Sequence, residues 1–284
     1  MGSLVISITQ LPDYPITQFS DYHGPRPVAL RIAFDLDGVL ADMESELVRQ
    51  AEILFGESMT RRLEQRSDAD PAAKADASEP PTDAGDSAQA AAEPSADPVP
   101  PLIKLNMTSR QQRKLWRHVE SIENFWGTLA ELEPGVIRRL ASIAAERRWE
   151  IIFLTKRPQS AGETAQIQTQ RWLESKGFPL PSVFVVQGSR GRIAAALGLD
   201  IVVDDRPENC LDVVVDSKAR AILVWREDPG QLPAAVRRIG IGVVASVDEC
   251  LDILTQVDSP EAREQPTVMA RVMRLLGLKE PANV

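Results

Sequence analysis

The stretch Arg31-Ile-Ala-Phe-Asp-Leu-Asp-Gly-Val-Leu40 decides how the rest of this chain is interpreted. It begins like a buried strand that leads directly into Asp35, and Asp37 follows two residues later. Gly38 then turns the chain back toward apolar packing. Because a buried carboxylate is costly without partners, two of them at the end of an apolar run indicate a functional site. We predict a strand over residues 28–34, with both aspartates at its carboxyl end.

The 284-residue chain has the composition of a globular protein, with 43% hydrophobic and 26% charged residues. No run approaches the roughly 18 apolar residues that a membrane-spanning helix needs. The first residues lack the basic segment and apolar core of a signal peptide. Two cysteines and two histidines are too few for a disulfide framework or a histidine-rich metal site. We therefore expect a cytoplasmic protein with no membrane partner.

Most of the net charge of −9 comes from residues 67–100, which contain eight acidic residues and one lysine. The same segment has eleven alanines and six prolines. Frequent prolines break helices, and so little apolar surface cannot offset the entropy cost of ordering, so we predict a disordered loop. An alanine-rich helix is the alternative. The rest of the chain is close to neutral, which argues against the basic face that nonspecific nucleic-acid binding requires.

From residue 136 onward, the sequence alternates between amphipathic helices and short apolar strands. We predict strands at 149–154, 183–186, 200–203, 221–225 and 242–245. Between and around them we predict helices at 136–148, 161–176, 190–197, 207–217, 233–238 and 246–257. Such alternation implies crossover connections and a parallel sheet. The predicted fold class is therefore α/β, a Rossmann-like parallel sheet with helices on both faces.

Between the first strand and this alternating region, residues 42–132 are interpreted as a small helical cap inserted after the first strand. Helical spacing predicts a helix over 42–54, and Thr108 with Gln111 matches a capping box that opens a second helix. Aromatic side chains of the cap could stack on a nucleobase or form the cap's own core; these are Trp116, Phe125 and Trp126. The predicted organisation is an irregular lead-in at 1–27, a core at 28–41 and 133–257, the cap at 42–132 with its insert at 67–100, and a linker and C-terminal helix at 258–284.

Polar residues follow the predicted strands at the edge where ligands bind in parallel sheets. They are Asp35, Asp37, Thr155, Asp204 and Asp205. Loop residues at the same edge add positive charge, namely Lys156, Arg157, Arg190, Arg192 and Arg206. Converging carboxylates repel each other, and a magnesium ion, which prefers oxygen ligands, relieves that repulsion. We expect Mg²⁺ as the cofactor, held by Asp35, Asp37, Asp204 and Asp205.

The segment Phe34-Asp-Leu-Asp-Gly-Val39 is similar to the first motif of the haloacid dehalogenase-like (HAD) superfamily. Thr155 after an apolar strand resembles the second motif, and Asp204-Asp205 resembles the fourth. The resemblance implies that Asp35 attacks phosphorus and forms an aspartyl phosphate. Asp37 would protonate the leaving oxygen and then activate water, and Thr155 would hydrogen-bond the phosphoryl group. The implied activity is magnesium-dependent hydrolysis of a small phosphomonoester, with a nucleotide among the candidate substrates.

The chain departs from the family pattern at the third motif, where a lysine usually neutralises the nucleophile and the phosphate. No lysine lies between Lys176 and Lys218. Arg190 is the first candidate to replace it and Arg192 the second, although arginine differs from lysine in geometry and hydration. We assign Arg190 to the catalytic set, and we expect Lys156, Arg157 and Arg192 to bind substrate.

Two other functions remain open at this point. The missing lysine and the acidic insert are also compatible with a HAD-like protein that binds a phosphate compound or a partner with little or no turnover. A polynucleotide-end phosphatase is the other alternative, although no basic face is evident. Within the superfamily, the helical insert resembles a cap of the C1 type. Together with the stretch Asp204-Asp-Arg-Pro-Glu-Asn-Cys210, it resembles the 5'(3')-deoxyribonucleotidase-like branch.

Overall fold

The computed structural model describes residues 30–56 and 107–257, so the lead-in, the acidic insert and the C-terminal helix expected from the sequence lie outside the described residues. Six parallel strands form one sheet in the order β3-β2-β1-β4-β5-β6. The strands are β1 (Arg31–Asp35), β2 (Glu150–Thr155), β3 (Ser182–Val185), β4 (Ile201–Asp204), β5 (Arg220–Val224) and β6 (Gly242–Val244). The helices of the described part are α1 (Met43–Phe55), α2 (Ser109–Ser121), α3 (Val136–Arg147), α4 (Ala165–Ser175), α5 (Arg190–Leu197), α6 (Pro207–Asp216), α7 (Ala234–Arg238) and α8 (Val247–Val257).

The sheet is covered by helices on both faces, and its residues divide between two apolar clusters. Ile32 and Phe34 of β1 belong to one cluster and Ala33 to the other, because successive side chains of a strand point to opposite faces. Buried residues of α1–α4 and α8 pack in the first cluster, and those of α5–α7 pack in the second. The predicted α/β fold class, a Rossmann-like parallel sheet with helices on both faces, is confirmed.

The strand order reverses at β1, and this places the polar strand ends together. From β1 the chain moves outward through β2 to β3, then returns to β4 on the other side of β1. Open parallel sheets bind ligands at such a reversal, outside the carboxyl ends of the strands. The three central strands end here at Asp35, Thr155 and Asp204.

The helical segment inserted after β1 is joined to the sheet by two adjacent stretches of backbone. The Leu132 amide donates to the Leu40 carbonyl, and the Asp42 amide donates to the Ala130 carbonyl, each over 2.9 Å. Between these stretches, α2 begins with the predicted capping box of Thr108 and Gln111. The structure buries all three aromatic side chains that could have stacked on a nucleobase, so they form core packing: Trp116, Phe125 and Trp126.

Most predicted element boundaries agree with the structure within one or two residues. The largest internal difference is α4, which begins at Ala165 and not at residue 161. Here the Ala161 amide donates to the Glu120 carbonyl over 2.8 Å, and Gly162 has a φ of +91°, so this backbone cannot be helical. Strand β1 begins at Arg31 instead of residue 28 and includes Asp35. None of the described helices combines the length and apolarity required to cross a bilayer.

Candidate active site

Asp35, the last residue of β1, is buried against Arg190. The Arg190 Nη2 donates to Asp35 Oδ1, and its Nε lies 3.5 Å from Asp204 Oδ2. The Arg190 side chain is only 2% exposed, and its Nη1 has no hydrogen-bond partner among the described residues. A single arginine therefore lies between the two carboxylates that end β1 and β4.

Arg190 is held in this position by the close packing of α5 on α6. It is the first residue of α5, and the preceding Ser189 hydroxyl caps that helix by accepting from the Arg192 amide. A Cβ atom on Gly191 would lie 2.1 Å from the Asp212 carbonyl oxygen, so only glycine permits this approach. Asp212 in turn accepts hydrogen bonds from the Ser189 hydroxyl and the Gly191 amide.

Asp37 is held from the β2 side by Thr155 and Arg157. The Thr155 hydroxyl donates to Asp37 Oδ2 over 3.2 Å. Arg157 Nη2 donates to Oδ1 over 2.7 Å and its Nε donates to Oδ2 over 2.9 Å, which is the paired geometry typical of arginine and carboxylate. The sequence predicts Arg157 as a substrate-binding residue, but its side chain is fully buried beneath Asp37.

Asp204 is anchored by the first turn of α6. Its Oδ1 accepts from the Arg206 amide over 2.9 Å, and Asn209 Nδ2 lies 3.0 Å from each carboxylate oxygen. Asn209 thus contacts the site, and the sequence offers it both as a residue that orients a metal ligand and as a simple helix cap. Its signal in the sequence is its place in the first turn of the helix that follows β4, five residues after Asp204.

Arg226 is a residue that the sequence analysis does not identify. It follows β5, and its Nη1 donates to the Gly38 carbonyl over 2.6 Å while its Nη2 donates to the Val39 carbonyl over 3.2 Å. The same guanidinium pairs with Glu133 over 2.5 Å, and Glu133 also accepts the amides that open α8. Arg226 therefore links the turn that contains Asp37 to Glu133. Glu133 lies in the segment through which the chain returns from the inserted helices to the sheet.

The remaining predicted cations are not part of this cluster of carboxylates and arginines. Lys156 and Arg206 are exposed. The Arg192 side chain is 85% exposed, and its one ion pair among the described residues is a long one of 3.9 Å to Asp216. The structure therefore brings Arg190, and not Arg192, next to the carboxylates of Asp35 and Asp204.

The site carries more carboxylates than cations, and burial raises their pKa values. Burial raises the pKa of Asp35 well above its usual range, and Arg190 opposes this rise only in part. Burial also raises the pKa of Asp204. The pKa of Asp205 rises to about 7, first because of burial and then because of the Asp204 charge. Asp205 Oδ1 is buried without a hydrogen-bond partner among the described residues.

These groups suit a divalent cation, although they are not arranged as a ready cage. Within residues 30–56 and 107–257, no group of three histidine, cysteine or acidic side chains is close enough to hold a metal ion by itself. Magnesium usually takes only one or two carboxylates and completes its ligands with water and substrate oxygens. The unpartnered Asp205 oxygen and the raised carboxyl pKa values fit this kind of ligand set.

Cys210 in the first turn of α6 is not a candidate nucleophile. Burial raises the pKa of its thiol, and the nearby Asp204 and Asp205 charges raise it further. The reactive form of cysteine is the thiolate, which this environment disfavours. Cys210 therefore contributes packing to the cluster of apolar residues beneath α6.

Replacing Gly38 by alanine is expected to lower the free energy of unfolding for two reasons: the unfavourable backbone conformation and a clash of the added Cβ with Asp205. Gly38 has a φ of +90°, and an added Cβ would lie 2.0 Å from Asp205 Oδ2. Gly135→Ala is the matched control, because Gly135 has a φ of +85° with nothing within 4 Å of its added Cβ. We expect Gly135→Ala to lower the free energy of unfolding by about 1 kcal/mol, the cost of a Cβ in the left-handed region. Gly38→Ala should cost about 1–3 kcal/mol more in urea unfolding, and equal losses would contradict the close contact with Asp205.

Comparison with known proteins finds solved structures that resemble this chain at low sequence identity. No protein-family model matches the chain, and no curated protein matches it. Similar solved structures include a Thermotoga maritima protein provisionally described as a beta-phosphoglucomutase, with 17% identity, a TM-score of 0.45 and coverage of 80% of this chain and 99% of the other. A hydrolase from Pseudomonas syringae has 17% identity, a TM-score of 0.44 and coverage of 81% and 100%. A HAD-family hydrolase from Deinococcus radiodurans R1, solved with bound phosphate and sodium, has 15% identity, a TM-score of 0.43 and coverage of 78% and 92%. At these identities and TM-scores, the similarity establishes neither a family nor an activity for this chain. Any proposal about its activity must therefore be argued from its own side chains.

Proposed function

We propose that this chain is a HAD-type phosphomonoester hydrolase that acts through an aspartyl phosphate on a small phosphorylated metabolite. The observation that carries the proposal is the pair of differently held carboxylates. Asp35 is buried beside Arg190, and Asp37, two residues later, is held by Thr155 and Arg157. Two carboxylates held by different partners, one by Arg190 and the other by Thr155 and Arg157, suit a nucleophile and an acid–base partner.

Each side chain then has a defined step. An Asp35 oxygen attacks phosphorus, and the bond from phosphorus to the leaving oxygen breaks as Asp37 supplies its proton. Water next attacks the aspartyl phosphate, Asp37 accepts a proton from that water, and Asp35 is released as a carboxylate. With substrate bound, the Thr155 hydroxyl, which donates to Asp37 in the structure, would turn its proton to a phosphoryl oxygen, and the Arg190 charge would offset the charges of Asp35 and the phosphate.

Magnesium is the proposed cofactor, held by one or two of the carboxylates of Asp35, Asp204 and Asp205, with water and substrate oxygens as its other ligands. The support comes from the excess of carboxylates, the unpartnered Asp205 oxygen and the raised pKa values. When bound, the ion would supply positive charge to the phosphoryl oxygens. Asp37 is less suited as a side-chain ligand than the sequence suggests, because Arg157 and Thr155 already occupy both of its oxygens.

Without magnesium, the protein is expected to lose stability as pH rises from about 4 to 7. Asp205 has a pKa of about 7 in the folded protein against a usual 3.8. Between these values the folded state binds a proton that the unfolded chain has released, so lower pH favours folding. Magnesium binds the ionised carboxylates of the folded state, so it should stabilise the protein more near pH 7 than near pH 5.

Urea unfolding across this pH range, with and without magnesium, measures both effects. Asp205→Asn is the control variant and should show a shallower pH dependence because it lacks the strongly shifted carboxyl group. A metal-free stability that increases with pH over this range would contradict the proposed state of Asp205. An equal effect of magnesium at both ends of the range would contradict its binding to these carboxylates.

The test of the activity itself is a panel of phosphorylated metabolites, including nucleoside monophosphates, assayed with and without magnesium for released phosphate. Magnesium-dependent release from at least one compound is expected, and no release from any of them would overturn the proposal. The second candidate is a protein that binds a phosphate compound without turnover. The direct pairing of Arg190 with Asp35 favours this candidate, because it reduces the availability of the nucleophile. Metal-dependent ligand binding without phosphate release would support it.

A further inference from the structure

Arg157 is enclosed by aromatic and polar side chains on the side away from Asp37. Its guanidinium carbon lies 4.9 Å from the ring centre of Trp126 and 5.8 Å from that of Trp172. Its Nη1 donates to the Thr169 hydroxyl over 2.9 Å. Within the described part of the chain, Asp37 is the carboxylate with which this buried guanidinium forms an ion pair.

This enclosure excludes Arg157 from the role of a surface cation that binds substrate. A guanidinium is costly to bury unless it is paired and hydrogen-bonded, and both conditions are met here by Asp37 and Thr169. Moving Arg157 outward to meet a phosphate would break these bonds and its contacts with the two tryptophans. Its position is therefore fixed by packing, and its Nε and Nη2 donate to the Asp37 carboxylate.

Asp37 benefits from a fixed partner because like charges act on its carboxylate. It lies in a turn beside Gly38, and the charges of Asp35 and Asp205 are close to it. These like charges repel its carboxylate, whereas the paired bonds from Arg157 restrain both oxygens. A proton donor or acceptor must be held within hydrogen-bond reach of its target, and small displacements reduce the rate sharply.

We propose that Arg157 is a positioning residue that acts through Asp37 and sets the orientation of the acid–base carboxylate. This inference rests on the proposed phosphatase function. It also assigns a purpose to the inserted helical segment. Trp126 of that segment covers Arg157, donates from Nε1 to the Pro158 carbonyl over 3.0 Å, and donates from its amide to Gln168 Oε1 over 3.0 Å. Part of the segment therefore contacts Arg157, the hydrogen-bond partner of the acid–base carboxylate.

A double-mutant cycle in turnover tests the proposal with Arg157→Lys, Asp37→Asn and the double variant. Lysine keeps the charge but loses the paired geometry, so we expect kcat to fall about 10- to 100-fold with KM changed less than about threefold. Asp37→Asn alone should lower kcat by about 10²–10⁴-fold. The double variant should be no slower than Asp37→Asn within about threefold, because the carboxylate through which Arg157 acts is already absent.

A second measurement distinguishes a specific loss of proton transfer from a general loss of activity through altered structure. Phenyl phosphate has a more basic leaving oxygen than 4-nitrophenyl phosphate, so it depends more on the proton supplied by Asp37. Arg157→Lys should lower kcat/KM for phenyl phosphate more than for 4-nitrophenyl phosphate. Arg139→Lys is the control, because Arg139 also pairs with carboxylates, Asp248 and Asp252, which are not part of the candidate site. It should leave both values within about twofold of the original protein, as is usual for residues far from the chemistry.

The outcomes distinguish this inference from the proposed function. If the unaltered protein does not turn over any phosphomonoester, both fail together. If it is active but the losses from Arg157→Lys and Asp37→Asn multiply in the double variant, only the positioning role fails. A raised KM with unchanged kcat would also overturn that role and would return Arg157 to substrate binding.

Discussion

Asp35→Asn is expected to abolish phosphate release, with kcat lowered by at least about 10⁴-fold. The carboxamide has nearly the same shape as the carboxylate but is a poor nucleophile, so no aspartyl phosphate can form. The variant should remain folded, because burial already disfavours the charge of Asp35 and Arg190 retains Asp204 as a partner. Turnover assays and thermal unfolding together separate the loss of the nucleophile from the loss of the fold.

The covalent intermediate gives a direct measurement of the same prediction. Rapid quenching of the original protein with labelled substrate should trap phosphate on the protein in a hydroxylamine-sensitive form, and Asp35→Asn should trap none. Asp248→Asn is the matched control, because it removes a carboxylate paired with Arg139 outside the site. Its turnover should be unchanged. Full activity in Asp35→Asn would exclude Asp35 as the nucleophile.

The positions of the strand ends could be predicted from the sequence because a parallel sheet brings equivalent ends together. Short apolar runs that end at Asp35, Thr155 and Asp204 were sufficient to predict one polar edge, since helix crossovers align all the strands in the same direction. The structure places these three residues on the neighbouring strands β1, β2 and β4. No contact between distant side chains was needed for this inference.

The directions of the arginine side chains could not be predicted in this way. Arg157 and Asp37 are 120 residues apart, and a loop arginine next to Lys156 suggests an exposed cation. Its burial depends on Trp126 and Trp172, which come from separate parts of the chain and enclose it only after folding. Helix α4 begins later than the sequence predicts for a similar reason. The Ala161 amide donates a hydrogen bond to the Glu120 carbonyl, and this replaces the first predicted helical turn. In each case a long-range contact overrides the local pattern.

Arg190→Met is expected to produce the largest loss of stability among the single variants at this edge. It would leave Asp35 and Asp204 buried beside each other without the cation that lies between them. Removing one partner from a buried ion pair typically lowers the free energy of unfolding by about 3–5 kcal/mol. Arg192→Met is the matched control from the same helix. Because the Arg192 side chain is 85% exposed, its loss should change stability by no more than about 0.5 kcal/mol.

The pH dependence of this loss identifies its cause. Arg190 lowers the pKa of both Asp35 and Asp204, so its removal raises both pKa values further. The loss of stability in Arg190→Met should therefore be greatest near neutral pH and should decrease in acid, where protonation removes the uncompensated charges. A loss that does not change with pH would indicate damaged packing instead of unpaired carboxylates.

Arg190→Lys then decides whether the arginine supports turnover or prevents it. Lysine keeps the positive charge but forms weaker contact with two carboxylates at once, because it lacks the planar fork of arginine. If Arg190 serves only as a cation for Asp35 and the phosphate, the lysine variant should retain kcat within about tenfold, since a charge-assisted hydrogen bond to the site is preserved. If the tight Arg190–Asp35 pair restrains the nucleophile, the lysine variant should be faster than the original protein. A lysine variant that is stable, binds phosphate and still has no turnover would favour the binding protein over the hydrolase, because the charge would then be present without the chemistry.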